Sequence, residues 1–304
     1  MEPVIIVRYA EIHLKGLNRP YFERSLVRRI ELALRPLPAK VVREQGRIFV
    51  FGLAGADIDS AADKLTHVFG IHSVSPAVAA EKEWEPIVAA AKQIVGARIA
   101  NLEHATFKVI SRRSDKRFPM RSEEICRTLG GLLLEAFPAL SVDVHKPDFY
   151  VGVEIRQNQA FVFAEERLGA GGMPVGCNGH AMLLVSGGID SPVAGYMIAK
   201  RGVRVSAVHF FSYPYTSERA RDKVVDLVRI LSAYAGTVTL HLVPFTEIQL
   251  AIYEKCPQSE TTVLMRRLMM QISERIALAS GAQALVTGES IGQVASQTIE
   301  SLTV

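Results

Sequence analysis

The chain has 304 residues, of which 49% are hydrophobic and 22% are charged, and its formal net charge is +4. A single core rarely grows beyond about 250 residues, so we expect two or three globular domains. No apolar run approaches the roughly 20 residues that cross a bilayer, and the first ten residues lack the basic leader of a signal peptide. We therefore expect a cytoplasmic protein that does not associate with membranes.

Short strands and helices alternate in the first part of the chain. Strands are predicted at residues 4–9, 40–43, 47–51 and 71–78, and helices at residues 21–34 and 56–68. The resulting β-α-β-β-α-β order is that of a ferredoxin-like unit. We expect this α+β unit to form a domain that spans residues 1–80.

A second group of elements begins near Glu81. Helices are predicted at residues 86–99 and 122–137, and strands at residues 106–111, 142–145, 150–156 and 161–165. The glycine-rich run at residues 169–176 then interrupts all periodicity, which is typical of a boundary. We expect a second domain over residues 81–168.

Five basic side chains crowd into ten positions of this second domain. They are Arg112, Arg113, Lys116, Arg117 and Arg121. Such a cluster is the usual electrostatic footprint of a protein that binds a nucleic-acid backbone. Charge alone fits a solvated surface equally well, and the sequence leaves both interpretations open.

Strands and helices alternate strictly in the remaining residues, 169–304. Strands are predicted at residues 181–185, 203–210, 238–243 and 284–286, and helices at residues 192–201, 218–234 and 263–280. Apolar strands separated by helices are typical of a parallel, doubly wound, Rossmann-like sheet. Ligands of such sheets bind beyond the carboxyl ends of the strands. Ser186, His209 and Gly288 each occupy that position, so we expect the third domain to carry the active site.

The segment Ser-Gly-Gly-Ile-Asp-Ser at residues 186–191 links the first of these strands to a helix. Glycines in such a turn let backbone N–H groups approach a phosphate, and the positive end of the helix dipole favours negative charge. Ser186 and Ser191 add hydroxyl donors, and Asp190 adds a carboxylate suited to a Mg2+ ion that bridges phosphates. The lysine of the common G-x-x-x-x-G-K-[ST] loop is missing. An ordinary Gly-Gly turn with polar caps is the alternative.

This hexapeptide is the signature of ATP pyrophosphatases, the PP-loop enzymes, and we call residues 186–191 the PP-loop. Together with motifs elsewhere, it resembles the tRNA 4-thiouridine synthetases, also called tRNA sulfurtransferases. The other motifs are R-Y-A-E-I-H-L-K-G (8–16), S-R-R-S-D-K-R-F-P (111–119), P-D (147–148), M-R-R (265–267) and T-G-E-S-I-G-Q-V-A-S-Q-T (287–298). The resemblance implies that the second domain is a THUMP domain, an RNA-binding module, and that the five basic residues contact tRNA.

The resemblance implies a sulfurtransferase with tRNA, ATP and Mg2+ as partners. Such an enzyme adenylates uridine 8 of tRNA, releases pyrophosphate and replaces the carbon-4 oxygen with sulfur, which gives 4-thiouridine. The sulfur arrives as a persulfide from a cysteine desulfurase. Some members also support thiamine thiazole synthesis. The oligomeric state stays open, with a homodimer as one candidate.

The resemblance also assigns site residues. The catalytic set is Ser186, Asp190 and Ser191, with Asp190 as the metal ligand. The ATP contacts are Leu184, Val185, Gly187, Gly188, His209, Phe210, Arg266, Gly288 and Gln297. From the residues alone, Leu184, Val185 and Phe210 fit core positions of strands, and spacing does not decide which arginine of the 266–267 pair faces the nucleotide.

Further strands, helices and a sulfur-handling cysteine are implied beyond Val304. Cys177 and Cys256 do not match that cysteine, so we expect the third domain to be truncated and adenylation to be better supported than sulfur transfer. One alternative is another PP-loop enzyme, an amidating ligase or a tRNA lysidine synthetase, which uses an amine in place of sulfur. The other alternative is a tRNA-binding protein without turnover.

Overall fold

The computed structural model describes residues 1–44 and 46–289. These residues form two compact units. The first unit contains Met1–Leu14, Val27–Thr66 and Ile71–Gly169, and the second contains Lys15–Leu26, His67–Gly70 and the described residues from Ala170 onward. Within the described ranges, no helix combines the length and apolar content that a bilayer-spanning segment requires.

The first unit is built on one nine-stranded sheet. Its strands are β1 (Glu2–Arg8), β2 (Lys40–Glu44), β3 (Arg47–Phe51), β4 (Ser73–Glu81), β5 (Ala105–Arg113), β6 (Leu140–Val142), β7 (Phe149–Ile155), β8 (Gln159–Phe163) and β9 (Arg167–Leu168). The order is β2-β3-β1-β4-β8-β7-β5-β6, and β9 pairs with β4. The α-helices over the same part of the chain are α1 (Arg19–Ala33), α2 (Ile58–Thr66), α3 (Trp84–Ile99) and α4 (Ser122–Ala136).

The predicted β-α-β-β-α-β order of the first 80 residues is confirmed as β1-α1-β2-β3-α2-β4. The sheet does not stop at residue 80, because β4 pairs antiparallel with β8 from Val78 opposite Val162 to Glu81 opposite Gln159. The ferredoxin-like elements and the following elements thus share one set of backbone hydrogen bonds. The division at residues 80 and 168 stays a prediction.

One strand of the first unit is displaced from its predicted position at residues 142–145. Strand β6 ends at Val142 because the Asp143 carboxylate accepts the backbone N–H groups of His145 and Lys146, at 2.8 and 3.0 Å. An aspartate that bonds the backbone two or three residues ahead forms a turn. The buried Leu140 begins the strand instead.

The second unit contains a parallel sheet, as the sequence predicts. Its strands are β10 (His180–Leu184), β11 (Arg204–Phe211), β12 (Leu240–Pro244) and β13 (Ala284–Val286), in the order β12-β11-β10-β13. Its helices are α5 (Asp190–Lys200), α6 (Glu218–Ala235), α7 (Thr246–Lys255) and α8 (Thr261–Ala279). Helix α7 was not predicted, because one buried residue, Ile252, leaves its apolar pattern weak.

Different helices cover the two faces of this parallel sheet. On one face, Leu183 and Ala207 pack in a cluster with Ala199 of α5 and Val228 of α6. On the other face, residues next to them in sequence, Met182 and Val208, pack with Ala277 of α8. Successive side chains of a strand alternate between faces, so the face of each rim residue follows from its position.

Candidate active site

The PP-loop follows the carboxyl end of β10, and α5 begins within it at Asp190. Strand β10 lies between β11 and β13 in the sheet. The loop therefore lies at the centre of the sheet edge where ligands of parallel sheets bind. The neighbouring strands β11 and β13 flank the loop. Two further predicted contacts, His209 and Gly288, lie near the carboxyl ends of these strands.

Two serines hold the PP-loop in shape. The Ser186 N–H donates to Ser191 Oγ at 2.9 Å, and the Gly188 N–H donates to Ser186 Oγ at 3.3 Å. The two hydroxyl oxygens are 3.2 Å apart. Ser191 is buried, whereas Ser186 is exposed. Ser191 thus braces the turn from inside, and Ser186 faces the solvent side where a ligand would arrive.

The loop glycines face open space. A Cβ added at Gly187 would meet no atom within 4 Å, and one at Gly188 would meet Ser186 Oγ at 3.5 Å. Packing inside the protein therefore does not require a glycine at position 187. A bare backbone at an open strand-to-helix turn fits the close approach of a phosphate to N–H groups.

Asp190 is exposed at the first residue of α5. Among residues 1–44 and 46–289, no group of three or more His, Cys, Asp or Glu side chains is placed to hold a metal ion. Mg2+ commonly binds through one or two carboxylates together with substrate phosphates and water. A single exposed carboxylate beside an open phosphate cradle fits that mode.

His209 is tied to the strand that leads into the PP-loop. Its Nδ1 lies 2.9 Å from the carbonyl oxygen of Val185 and donates to it. The side chain is 9% exposed, and the buried Nε2 has no hydrogen-bond partner among the described residues. Phe210 points to the other face of the sheet, where its ring meets the Phe245 ring edge-on at 5.5 Å between centroids.

Gly288 meets the PP-loop directly. A Cβ at this position would lie 2.4 Å from the Ser191 backbone nitrogen and 2.7 Å from the Asp190 carbonyl carbon. Only glycine permits this approach, so the segment after β13 is seated against the start of α5. Arg266 of α8 forms an ion pair with the neighbouring Glu289. Gln297 lies outside the described residues.

The five predicted RNA-binding residues of the first unit fall into two groups. Arg113 donates from Nη1 to the carbonyl oxygens of Phe118 and Met120, at 3.1 and 2.6 Å. Arg117 binds Asp115 with two hydrogen bonds of 3.1 Å. These two arginines brace their own loop. Arg117 is nevertheless largely exposed, as are the three residues outside that bracing: Arg112, Lys116 and Arg121.

Asp115 anchors that loop. Besides Arg117, it accepts a hydrogen bond of 2.9 Å from Lys82 Nζ. The hydrogen bonds from Arg117 and Lys82 hold the pKa of Asp115 far below its usual range. The carboxylate therefore stays charged, and it partly neutralises the basic cluster at this point.

The sequence analysis missed a second group of arginines in the first unit. Glu154 of β7 is buried and accepts hydrogen bonds from Arg156 at 2.8 Å and Arg8 at 3.3 Å. Arg47 Nε lies 3.8 Å from the same carboxylate. Burial acts to raise the pKa of Glu154, but the three arginines outweigh it and lower the pKa. Arg8 and Glu154 are 146 positions apart in the sequence, so no local pattern indicated their contact.

The exposed Arg112 belongs to the same charged neighbourhood. It stands opposite Glu154 in the pairing of β5 with β7. Burial lowers the pKa of Arg47, and the charges of Arg8, Arg156 and Arg112 lower it further while Glu154 opposes them. Arginines thus outnumber carboxylates here, which favours the arrival of an anion.

Three family models match the chain. Residues 4–75 match the ThiI ferredoxin-like domain, residues 81–165 the THUMP domain, and residues 176–304 the model described as Thiamine biosynthesis protein (ThiI). A probable tRNA sulfurtransferase of Acetivibrio thermocellus is 53% identical over 306 residues, which cover 100% of this chain and 78% of the relative. One of Brevibacillus brevis is 51% identical over 300 residues, covering 98% and 74%.

Solved structures agree with these matches. A crystal structure of a 4-thiouridine synthetase–RNA complex with bound ATP is 41% identical, with a TM-score of 0.90 over 100% of this chain and 78% of the other. A crystal structure from Pyrococcus horikoshii is 31% identical, with a TM-score of 0.69 over 83% and 82%. On this identity and coverage, the chain belongs to the tRNA sulfurtransferase family.

Proposed function

We propose that the chain activates uridine 8 of tRNA by adenylation with ATP and replaces its carbon-4 oxygen with sulfur to give 4-thiouridine. The observation that carries this proposal is the open PP-loop of Gly187 and Gly188 at the sheet edge in a chain of this family. A related solved structure holds both ATP and RNA, which supports the same two partners for this chain.

The activation step uses the residues of the PP-loop. Oxygen O4 of the uracil attacks the α-phosphorus of ATP, and pyrophosphate leaves with the electron pair of the broken P–O bond. Backbone N–H groups of the loop, the Ser186 hydroxyl and the positive end of α5 stabilise the charge that develops on pyrophosphate. Asp190 would hold Mg2+, which neutralises phosphate charge when it is bound.

The second step needs a sulfur donor. A persulfide supplied by a cysteine desulfurase attacks carbon 4 through its outer sulfur, and AMP leaves with the former O4. A second thiol then attacks the inner sulfur, which breaks the S–S bond, forms a disulfide and leaves the outer sulfur on carbon 4. Cys177 is half-buried, and burial raises the pKa of its thiol, so it stays protonated and is a poor nucleophile at neutral pH. We assign no sulfur-carrying role to it. A further role in thiamine thiazole synthesis stays a prediction.

The test mixes the chain with ATP, Mg2+ and unmodified tRNA and measures pyrophosphate. We expect release that depends on tRNA and that disappears when position 8 is cytidine, which lacks O4. A persulfide donor then adds sulfur to the recovered uridine. Absence of tRNA-dependent release would favour a binder without turnover. Release without sulfur incorporation, but with incorporation of an amine, would favour an amidating PP-loop enzyme.

A further inference from the structure

A cavity of about 270 Å3 opens in the second unit between the carboxyl end of β11 and the start of α6. It is lined by Phe211, Tyr213, Thr216, Ser217, Glu218 and Arg221. The lining combines two aromatic rings, three hydroxyls, a carboxylate and a guanidinium. None of these residues is among the ATP contacts assigned above.

The cavity lies at the sheet edge where the chemistry occurs. Phe211 is the last residue of β11, the parallel neighbour of β10, and Glu218 is the first residue of α6. Side-chain alternation along β11 puts Phe211 on the face that α5 and α6 cover. The PP-loop leads into α5, so the cavity and the loop open on the same side of the sheet.

Two of the predicted ATP contacts lie on the opposite face of the sheet, whereas His209 shares the face of Phe211. Phe210 packs on the face that α8 covers, and Arg266 lies on α8 itself. An adenine held by Phe210 and Arg266 leaves room for the second substrate on the α6 side of the PP-loop.

The lining suits a pyrimidine base that has been turned out of an RNA chain. Unstacked RNA bases bind by stacking on aromatic side chains and by hydrogen bonds to their edges, and Phe211 and Tyr213 offer rings. Uracil presents one donor, N3–H, between two carbonyl acceptors. Glu218 is an acceptor, and Ser217, Thr216 and Arg221 are donors.

We propose that this cavity binds the uracil of the target nucleotide and that Glu218 takes the N3 proton during adenylation. The proposal rests on the function proposed above. As the O4–P bond forms and the bond to pyrophosphate breaks, the ring gains positive charge unless N3 loses its proton. The proton passes to the exposed Glu218 carboxylate, and the N3–H electron pair becomes part of the C4–N3 double bond. This transfer keeps the adenylated base neutral.

Glu218→Gln tests the proton transfer. A positioned general base contributes about 10²- to 10⁴-fold, so we expect tRNA-dependent pyrophosphate release to fall by at least about 10²-fold while ATP affinity stays within about twofold of the parent chain. Asp226→Asn, on the same helix with an ion pair to Arg229, is the matched control and should keep its rate. An unchanged rate for Glu218→Gln overturns the assignment.

The nucleotide-binding measurement separates the two bases that the cavity could take. If Glu218→Gln or Tyr213→Ala weakens ATP binding in the absence of tRNA, adenine occupies the cavity and the proposal is wrong. If instead ATP binding is intact and the tRNA-dependent step is lost, the target base occupies it.

Photocrosslinking tests the location without turnover. A tRNA that carries 4-thiouridine at position 8 crosslinks to nearby side chains under near-ultraviolet light. We expect the crosslinked peptide to contain residues 211–221 and the yield to fall in Tyr213→Ala. A crosslink that maps elsewhere in the second unit leaves the proposed function intact and overturns the cavity as the uracil site.

Discussion

The Nδ1 atom of His209 lies 2.9 Å from the carbonyl oxygen of Val185 and donates a hydrogen bond to it. This bond joins β11 to the residue immediately before the PP-loop, beyond the ladder contact that the Val185 N–H makes with the Val208 carbonyl oxygen at 2.9 Å. Because His209 is buried, the bond is shielded from water. It fixes the direction in which the chain enters the loop.

His209→Ala should therefore weaken ATP binding without unfolding the protein. Leaving a buried carbonyl without its donor costs about 1–3 kcal/mol, so we expect the affinity for ATP to fall about tenfold. Isothermal titration calorimetry measures the affinity for ATP. His241→Ala removes an imidazole from the next strand, β12, and should keep the affinity within about twofold. Equal effects of the two substitutions would contradict the role of His209.

Gly187→Ala and Gly288→Ala separate the two uses of glycine at the site. At Gly187 the added Cβ enters open space, so the free energy of unfolding should change by less than about 1 kcal/mol while ATP affinity falls at least tenfold. At Gly288 the Cβ would overlap the Ser191 backbone, which should cost about 1–3 kcal/mol of stability. Denaturant unfolding measures the stability of each variant, and a nucleotide-binding titration measures its affinity for ATP. Normal ATP binding by Gly187→Ala would exclude a phosphate at that position.

Asp190→Ala should abolish adenylation and leave tRNA affinity unchanged, because the carboxylate is exposed at the PP-loop and lies in the unit that lacks the basic cluster. The measurements are pyrophosphate release and filter binding of tRNA. Asp226→Asn, which removes another exposed carboxylate of the second unit, serves as the control and should change neither quantity. Undiminished release by Asp190→Ala would refute its role.

Arg112 and Arg113 should behave differently despite their adjacency. Neutralising Arg112, which is exposed, should weaken tRNA binding and reduce the slope of log affinity against log salt by about 1. Replacing Arg113 removes the donor to the Phe118 and Met120 carbonyls, so its main effect should be a lower melting temperature. If Arg112→Ala binds tRNA with the affinity of the parent chain at every salt concentration, Arg112 belongs to a solvated surface and does not contact tRNA.

Glu154→Gln should destabilise the first unit in a pH-dependent way. Removing one partner of a buried ion pair costs about 3–5 kcal/mol, since three arginines would then face one another. The pKa of Glu154 is lower in the folded chain than its ordinary 4.5. The stability it supplies is therefore complete above that value and is lost as the pH falls through the lower, folded pKa.

Urea unfolding of Glu154→Gln and its parent should thus differ most near neutral pH and converge in acid. Glu166→Gln is the control, because that side chain is half exposed and lies 3.6 Å from Arg8. It should cost less than about 1 kcal/mol. A Glu154→Gln difference that stays constant down to acidic pH would contradict the ionised pair.

The succession of strands and helices along the chain and the PP-loop were predictable because both follow from local sequence patterns. Apolar strands alternate with helices after residue 169, and the hexapeptide carries its own turn chemistry. Contacts between residues that are far apart in the sequence produce no such local pattern. The pairing of β4 with β8 and the seating of Gly288 on Ser191 depend on packing between distant segments. Helix α7 escaped because its apolar face is short.

Transfer of AMP to tRNA tests the central claim most directly. The chain is mixed with unmodified tRNA and with ATP that carries a label on its α-phosphorus, and no sulfur donor is added. The account predicts that label accumulates on the tRNA, in proportion to the pyrophosphate released, and that it is absent from tRNA with cytidine at position 8. Pyrophosphate release with no label on the tRNA would contradict it.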